Sequence, residues 1–300
     1  MSKSIELFSP TGWKDYELID SGEFQKLERF GNQIVARPEP RALWDKSLPQ
    51  KEWERMAHAM FVNAKPSQGY TNAESERGDW KLKPGAQEQW FVEYAYKKMQ
   101  LKMRLGLTAF KHVGIFPEQA PNWNFIYDSI HQLNEKNPKI LNLFAYTGGA
   151  SLAARAAGAE VTHVDSIKQV ITWSRQNMEF SALDNIKWVV EDAFKFVARE
   201  ARRGNKYHGI ILDPPAYGRG PNGERWVLED AINTLLKSCK EILSTNSFLL
   251  LNMYSKGFSV LVAEGLVNSI FEGRNTQMGE LYMPDRQGRK LPLGGFVRVT

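Results

Sequence analysis

From residue 115 onward the chain alternates short apolar strand-like runs with longer helix-like ones. That order implies a parallel sheet, because a crossover helix must return each strand to the same end. Two of the strand ends break abruptly. In LNLFAYTGGAS, residues 141–151, the run Ile140, Leu141, Leu143, Phe144 stops at Thr147-Gly148-Gly149 and enters an Ala-rich helical stretch at 150–157. Glycine there lets backbone approach a ligand where a side chain would block it. In IILDPPAYGRG, residues 210–220, the apolar run stops at Asp213-Pro214-Pro215. Two prolines cannot continue a ladder, so Asp213 is left at the carboxyl edge, where open α/β sheets bind ligands.

Two more strand-like runs end in acids, 160–165 at Asp165 and 186–192 at Asp192, each following a helical stretch (150–157 and 168–180). Strand C-termini of a parallel sheet share one side, so Asp165, Asp192 and Asp213 are expected to line one crevice with Gly148 and Gly149. Three carboxylates there suit a ligand rich in hydroxyls and amines. Each residue also has a purely structural reading: close helix–strand packing for the glycines, helix capping for Asp165 and Asp192.

Residues 139–256 resemble class I S-adenosylmethionine (SAM) dependent methyltransferases. The resemblance implies a Rossmann-like α/β fold with a seven-stranded sheet, its antiparallel final strand inserted beside strand five. It implies that Thr147, Gly148 and Gly149 pass under the amino-acid part of SAM, with Phe144 and Tyr146 divided between core and ligand wall. Asp165, with Ser166 beside it, would accept the ribose hydroxyls, and Asp192 with the Ala193 amide would meet the adenine. The loop Asp213-Pro214-Pro215 would face the methyl group, with Tyr217 either a half-buried loop aromatic or a stacking partner for an extruded base. A nicotinamide reading is weaker: the loop lacks G-x-G-x-x-G, and Asp165 follows only 16 residues after Gly149.

Over nearly the whole chain, HVGIFPEQAPNWNFI (112–126), DPPAYGRGPNGERW (213–226), KLERFGNQIVARPEPRALW (26–44) and GRKLPLGGFVR (288–298) are similar to bacterial large-subunit ribosomal RNA methyltransferases. That family includes enzymes methylating cytosine carbon 5 and a guanine ring nitrogen. The loop Phe116-Pro117-Glu118-Gln119 then reads as a cover over SAM, with Gln119, and Glu118 beside it, at the amino-acid end. Carbon 5 of cytosine needs a thiolate to attack carbon 6 first. Family members acting there carry Cys just past strand five, where this chain reads Asn252-Met253-Tyr254-Ser255-Lys256, and the position after the strand-four prolines is Ala216. Cys239, the only cysteine, falls in the apolar stripe Leu235, Leu236, Ile242, Leu243 of a helix. A nitrogen acceptor is therefore expected. A second reading keeps SAM but gives it a protein side chain or small molecule as acceptor; a third is a non-catalytic SAM- or RNA-binding module, against which the intact D-P-P loop argues.

A chain of 300 residues with 42% hydrophobic content can bury a large core. Before residue 110 the period changes: 16–22, 24–30 and 33–37 alternate around Ser-Gly and Gly-Asn turns, followed by a helical stretch at 52–60 and strands at 80–83 and 89–98. We expect a small, mostly antiparallel α+β domain over residues 1–105 and the methyltransferase domain over 106–300. Many relatives carry a further N-terminal RNA-binding module; this chain begins almost directly with the small domain. Helices are expected at 224–243 and 258–271, and a terminal hairpin at 278–283 with 294–299. No apolar run reaches a membrane span of about 18 residues and no signal-type segment opens the chain, so a cytoplasmic protein without membrane contact is expected. No metal site is expected from five scattered histidines and one cysteine. The net charge of +5 permits a ribosomal RNA partner. Two basic clusters stand out, Lys97, Lys98, Lys102, Arg104 and Arg199, Arg202, Arg203, Lys206, each of which also reads as an ordinary solvated face.

Overall fold

The computed structural model describes residues 4–64, 76–254 and 258–300. Its main sheet has eight strands. Seven follow the expected plan: β9 (Lys139–Leu143), β10 (Glu160–Asp165), β11 (Ile186–Val190), β12 (Tyr207–Leu212), β15 (Leu243–Met253), β16 (Thr276–Pro284) and β17 (Lys290–Val299). β9 is central, with β10 and β11 to one side and β12 then β15 to the other, all parallel. β17 lies antiparallel between β15 and β16. The eighth strand, β1 (Glu6–Phe8), adds in parallel to β16 at the edge. It comes from the N-terminal segment, and its Phe8 ring meets Phe296 at 5.2 Å.

The central strands are apolar on both faces because both are covered. Helices α2 (Ala120–Gln132), α3 (Gly149–Ala156) and α4 (Lys168–Phe180) cover one face, α5 (Ala193–Arg202), α6 (Leu228–Ile242) and α7 (Val260–Ile270) the other. β9 contributes Ile140 to the first core and Leu141 and Leu143 to the second. Gly209 in β12 is forced by this packing, since a Cβ would sit 2.5 Å from the Phe248 ring.

The N-terminal segment forms a five-stranded sheet, β2 (Tyr16–Gly22), β3 (Gln25–Phe30), β4 (Gln33–Pro38), β5 (Ala59–Asn63) and β6 (Gly78–Leu82), with α1 (Gln50–Met56) and a separate hairpin of β7 (Gln89–Tyr96) and β8 (Met99–Gly106). Two expected elements differ. The helix near 52–60 stops at Met56, where β5 is recruited by pairing with β4 and β6. The expected helix at 224–243 begins as β14 (Arg225–Val227), paired with β13 (Tyr217–Arg219). Its Trp226 indole donates to the Pro215 carbonyl at 2.6 Å, a contact that helical backbone would lose. β8 alternates, with Met99, Leu101, Met103 and Leu105 buried in the first core.

One ion cluster is sealed inside the N-terminal sheet. Glu28 accepts from Arg37 Nε at 2.5 Å and Nη2 at 3.0 Å and from the Tyr16 hydroxyl at 2.8 Å. Burial alone would raise the Glu28 carboxyl, but the charges of Arg37 and Lys26 overcome it and hold it at about 2. Removing one member strands the other charge. Glu28→Gln is expected to destabilise the fold by about 3–5 kcal/mol at pH 7 in urea unfolding. The native contribution is complete above the unfolded carboxylate range and is lost as pH falls toward about 2, so the gap to the variant closes in acid.

Candidate functional site

The loop after β9 sits at the point where the strand order reverses, between β10 and β12. Phe144 and Tyr146 leave the strand with φ of 55° and 48°, left-handed values that aromatic side chains adopt only when held there. Asp165, ending β10, supplies the hold: its carboxylate accepts from Tyr146 N at 2.9 Å and from Ile167 N at 3.0 Å. Burial raises the Asp165 pKa, partly offset by these amides. Ser174 Oγ donates to the Tyr146 carbonyl at 2.6 Å, Asn177 Nδ2 to the Thr147 carbonyl at 3.0 Å, and Thr147 Oγ1 to the Gly114 carbonyl at 2.6 Å. Gly148 has φ 95° and opens α3. Gly149 is needed for space, because a Cβ would lie 2.6 Å from the Trp123 ring.

Beneath this loop, His163 Nδ1 meets Ser151 Oγ at 2.9 Å, and Asn142 Nδ2 donates to the same oxygen at 2.9 Å. Burial lowers His163 to about 3, so it is neutral at physiological pH. A second polar chain forms the opposite wall. Arg298 Nη2 donates to Asn122 Oδ1 at 2.7 Å, Asn122 Nδ2 donates to Asn252 Oδ1 at 2.8 Å and to Gln119 Oε1 at 3.0 Å, and Gln119 Nε2 donates to the Tyr254 hydroxyl.

Between the walls lies a cavity of about 50 Å³. Gln119, Phe144, Tyr146, Thr147, Gly148, Gly149 and Asp213 line it, so the structure brings these expected residues together. Asp165 is tied to it through the Tyr146 amide. Ser166 is half-buried in the turn beyond Asp165. Asp192 is one strand further out and caps α5, accepting from Lys195 N at 3.0 Å, with Ala193 buried behind it. Pro214 is buried, Pro215 is exposed, and Tyr217 stands 54% exposed on β13. Phe116 of the expected cover loop and Trp123 just beyond it also line the cavity, together with Met103, Asn142 and Asn252, which the sequence did not single out as cavity walls. Only the fold brings them there; the usable sequence signal was Asn142 and Asn252, polar residues inside otherwise apolar strand runs. Ser255 and Lys256 lie outside the described residues.

Burial, with the Glu118 charge adding to it, pushes the Asp213 carboxyl up to about 7. The cleft thus offers one poised carboxyl at the edge of β12, a second at the end of β10, amide side chains, and aromatic walls in which Phe116 stands 5.5 Å from Tyr146 and 5.9 Å from Tyr254. Acceptors for hydroxyls and amines beside apolar walls suit a nucleoside with a polar tail.

A family model of S-adenosylmethionine-dependent methyltransferases matches residues 85–269. The chain belongs to that family. Its methyl donor is SAM. Across its whole length the methyltransferase is 36% identical to the solved SAM-dependent methyltransferase from Agrobacterium tumefaciens, with a TM-score of 0.87 and 97% of that chain covered. It is 27% identical over 173 residues to ribosomal RNA large subunit methyltransferase K/L of Shewanella frigidimarina, a match covering 56% of this chain and 23% of that protein. It is 36% identical over 85 residues to ribosomal RNA large subunit methyltransferase I of Escherichia coli, covering 27% of this chain and 22% of that protein. The match thus spans under a quarter of either curated relative. Among the described residues no helix is long and apolar enough to cross a membrane.

The raised Asp213 pKa carries a stability signature. The folded state holds this proton more tightly than the unfolded chain, so this carboxyl's contribution to stability is complete below the unfolded pKa of about 4 and is lost as pH rises to about 7. Asp213→Asn removes the effect. Its melting temperature relative to the native enzyme is expected to climb between about pH 4 and 7 and then level off, as thermal melts across that range will show.

Proposed function

We propose that this methyltransferase transfers the SAM methyl group to a nucleobase nitrogen of ribosomal RNA, in the cytoplasm. The observation that carries the acceptor chemistry is the pairing of a poised Asp213 at the cavity with the absence of a thiol there. Cys239 is 0% exposed within the apolar stripe of α6, and burial pushes its pKa up, away from thiolate. The end of β15 and the position just past it hold Asn252, Met253 and Tyr254. The two matched relatives named for large-subunit ribosomal RNA supply the substrate class.

SAM supplies an activated methyl on a sulfonium leaving group. The residues present fit it: a left-handed glycine loop with no Cβ at its crest, and carboxylates at the ends of β10 and β12. In this reading Gly148, Gly149, Thr147 and Gln119 hold the amino-acid portion, Tyr146 and Phe144 wall it, Asp165 with Ser166 receives the ribose hydroxyls, and Asp192 with the Ala193 amide meets the adenine. Asp213 and the Pro214 carbonyl accept hydrogen bonds from an amine or ring N–H of the acceptor base, aligning its lone pair in line at about 3 Å. With a pKa near 7, Asp213 can also take the proton released on transfer. The base must leave its stack to reach this cleft, and aromatic walls exclude water from it.

Two variants separate the halves of the site. Asp165→Asn is expected to weaken SAM binding by about 1.5–3 kcal/mol for a lost charged hydrogen bond, measured by calorimetry on a folded protein. Asp213→Ala is expected to keep SAM affinity and lose turnover with bulk ribosomal RNA; parallel loss of both would put Asp213 in the cofactor pocket.

A third variant tests the chemistry. Cys239→Ser is expected to remain active in tritiated-SAM incorporation, and a well-folded but dead Cys239→Ser would revive the covalent route to cytosine carbon 5. Mass mapping of modified nucleosides in RNA from cells lacking the protein identifies the acceptor atom.

A further inference from the structure

The hairpin of β13 and β14 grows directly out of the D-P-P loop and is closed at its base by Leu228 N donating to the Ala216 carbonyl at 3.0 Å. Its register puts Tyr217 opposite Val227, Gly218 opposite Trp226 and Arg219 opposite Arg225. Strand alternation therefore sends Trp226 to one face and Tyr217, Arg219 and Arg225 to the other. The Trp226 face is anchored: the ring lies 4.8 Å from Phe144 and 5.9 Å from Phe194. The opposite face is exposed at Tyr217, Arg219 and Arg225.

Two arginines directly across a ladder repel each other, and here neither has an ion-pair partner among the described residues. The one acid of the hairpin is turned away from them. Glu224 binds Lys195 of α5 and accepts from Asn222 N at 2.9 Å. On the basic hairpin β7–β8, Lys97 pairs with Asp128 at 2.5 Å, Lys102 with Glu93 at 3.3 Å, and Arg104 lies over the Trp173 ring, which leaves Lys98 alone of the four without a partner among the described residues. A fixed like-charge pair with its local acid removed calls for an anion from outside.

We propose that the outward face of the β13–β14 hairpin grips the RNA strand flanking the acceptor nucleotide, with Arg219 and Arg225 on its phosphates and the Tyr217 ring on a neighbouring base. This rests on RNA being the acceptor. The guanidinium fork matches phosphate oxygens, and a flat exposed ring beside it stacks on a base of any sequence. The place fits as well. A base extruded toward Asp213 drags its neighbours across the surface that begins four residues further along the chain, at Tyr217. An acidic peptide would use the arginines but leave the ring without a role.

The test is anisotropy of a short fluorescein-labelled single-stranded RNA through a salt titration, alongside methylation of bulk ribosomal RNA. For Arg219→Gln/Arg225→Gln the log–log salt slope is expected to fall by about 1–1.5 units, at ~0.7 per phosphate contact. SAM affinity should stay unchanged, and the melting temperature should hold or rise because the repulsion is relieved. Tyr217→Ala should weaken RNA binding about ten-fold. If the native enzyme methylates RNA but its slope is unchanged in the double variant, or falls instead in Lys97→Gln/Lys102→Gln, the hairpin assignment is wrong while the RNA reading stands. Native protein that neither binds nor methylates RNA, yet binds polyglutamate through the two arginines, overturns both.

Discussion

Phe144 and Tyr146 leave β9 in the left-handed region, a conformation that costs on the order of 1–3 kcal/mol per residue, and the neighbouring strands keep them there. Asp165 takes the Tyr146 amide, Ser174 takes its carbonyl, and Ala145 N bonds to the Val164 carbonyl at 3.1 Å. Each partner stands on β10 or α4. The loop geometry is therefore a property of the sheet order. Because β10 and β12 flank β9, the chain can turn sharply toward α3 while two carboxylates stand on either side of the turn. The cavity, the Gly148 crest and the closeness of Trp123 to Gly149 all follow from that turn.

The N-terminal strands take part in the site as walls. Met103 of β8 lines the cavity, Arg37 Nη1 donates to the Lys111 carbonyl at 3.4 Å, and Arg41 donates to the Tyr254 carbonyl. Trp13 stands 4.7 Å from Tyr94 and 6.2 Å from Trp123, joining the β7–β8 hairpin to α2. The loop that precedes α2 and carries Glu118 and Gln119 is thus pressed from the N-terminal side. Burial raises Glu118, and the Lys26 and Arg37 charges of the N-terminal sheet act against that rise. The buried Glu28–Arg37 pair fixes one of those charges in place.

The C-terminal strand supplies the other wall. Arg298 is buried on β17, where burial lowers its pKa to about 10, and its fork closes on Asn122. From there amide side chains pass the order on to Asn252 and Gln119. Such a network is stabilising only when every member is satisfied, which ties the orientation of Gln119 at the cavity to a strand inserted more than a hundred residues later.

The sequence alone determined the elements whose physics is local. Continuous apolar runs, the Gly-Gly break, the two prolines after Asp213 and the helical period of 168–180, which α4 follows to the residue, are legible because each is set by neighbours along the chain. Even the insertion of β17 beside β15 was available, through family resemblance. Contacts between distant segments decided the rest. Residues 224–227 have a helical pattern, yet Trp226 found the Pro215 carbonyl and the Phe144 ring, and β14 formed. Lys97 and Lys102 belong to a cluster that reads in sequence as an RNA contact or a solvated face, and only the fold brings Asp128 and Glu93 alongside them, whereas Arg219 and Arg225 were set face to face only by the register of a three-residue ladder. Periodicity reports what a residue's own helix or strand will bury; which charges are neutralised, and which carboxyl is lifted toward pH 7, depends on partners that only the folded chain brings within a few ångströms.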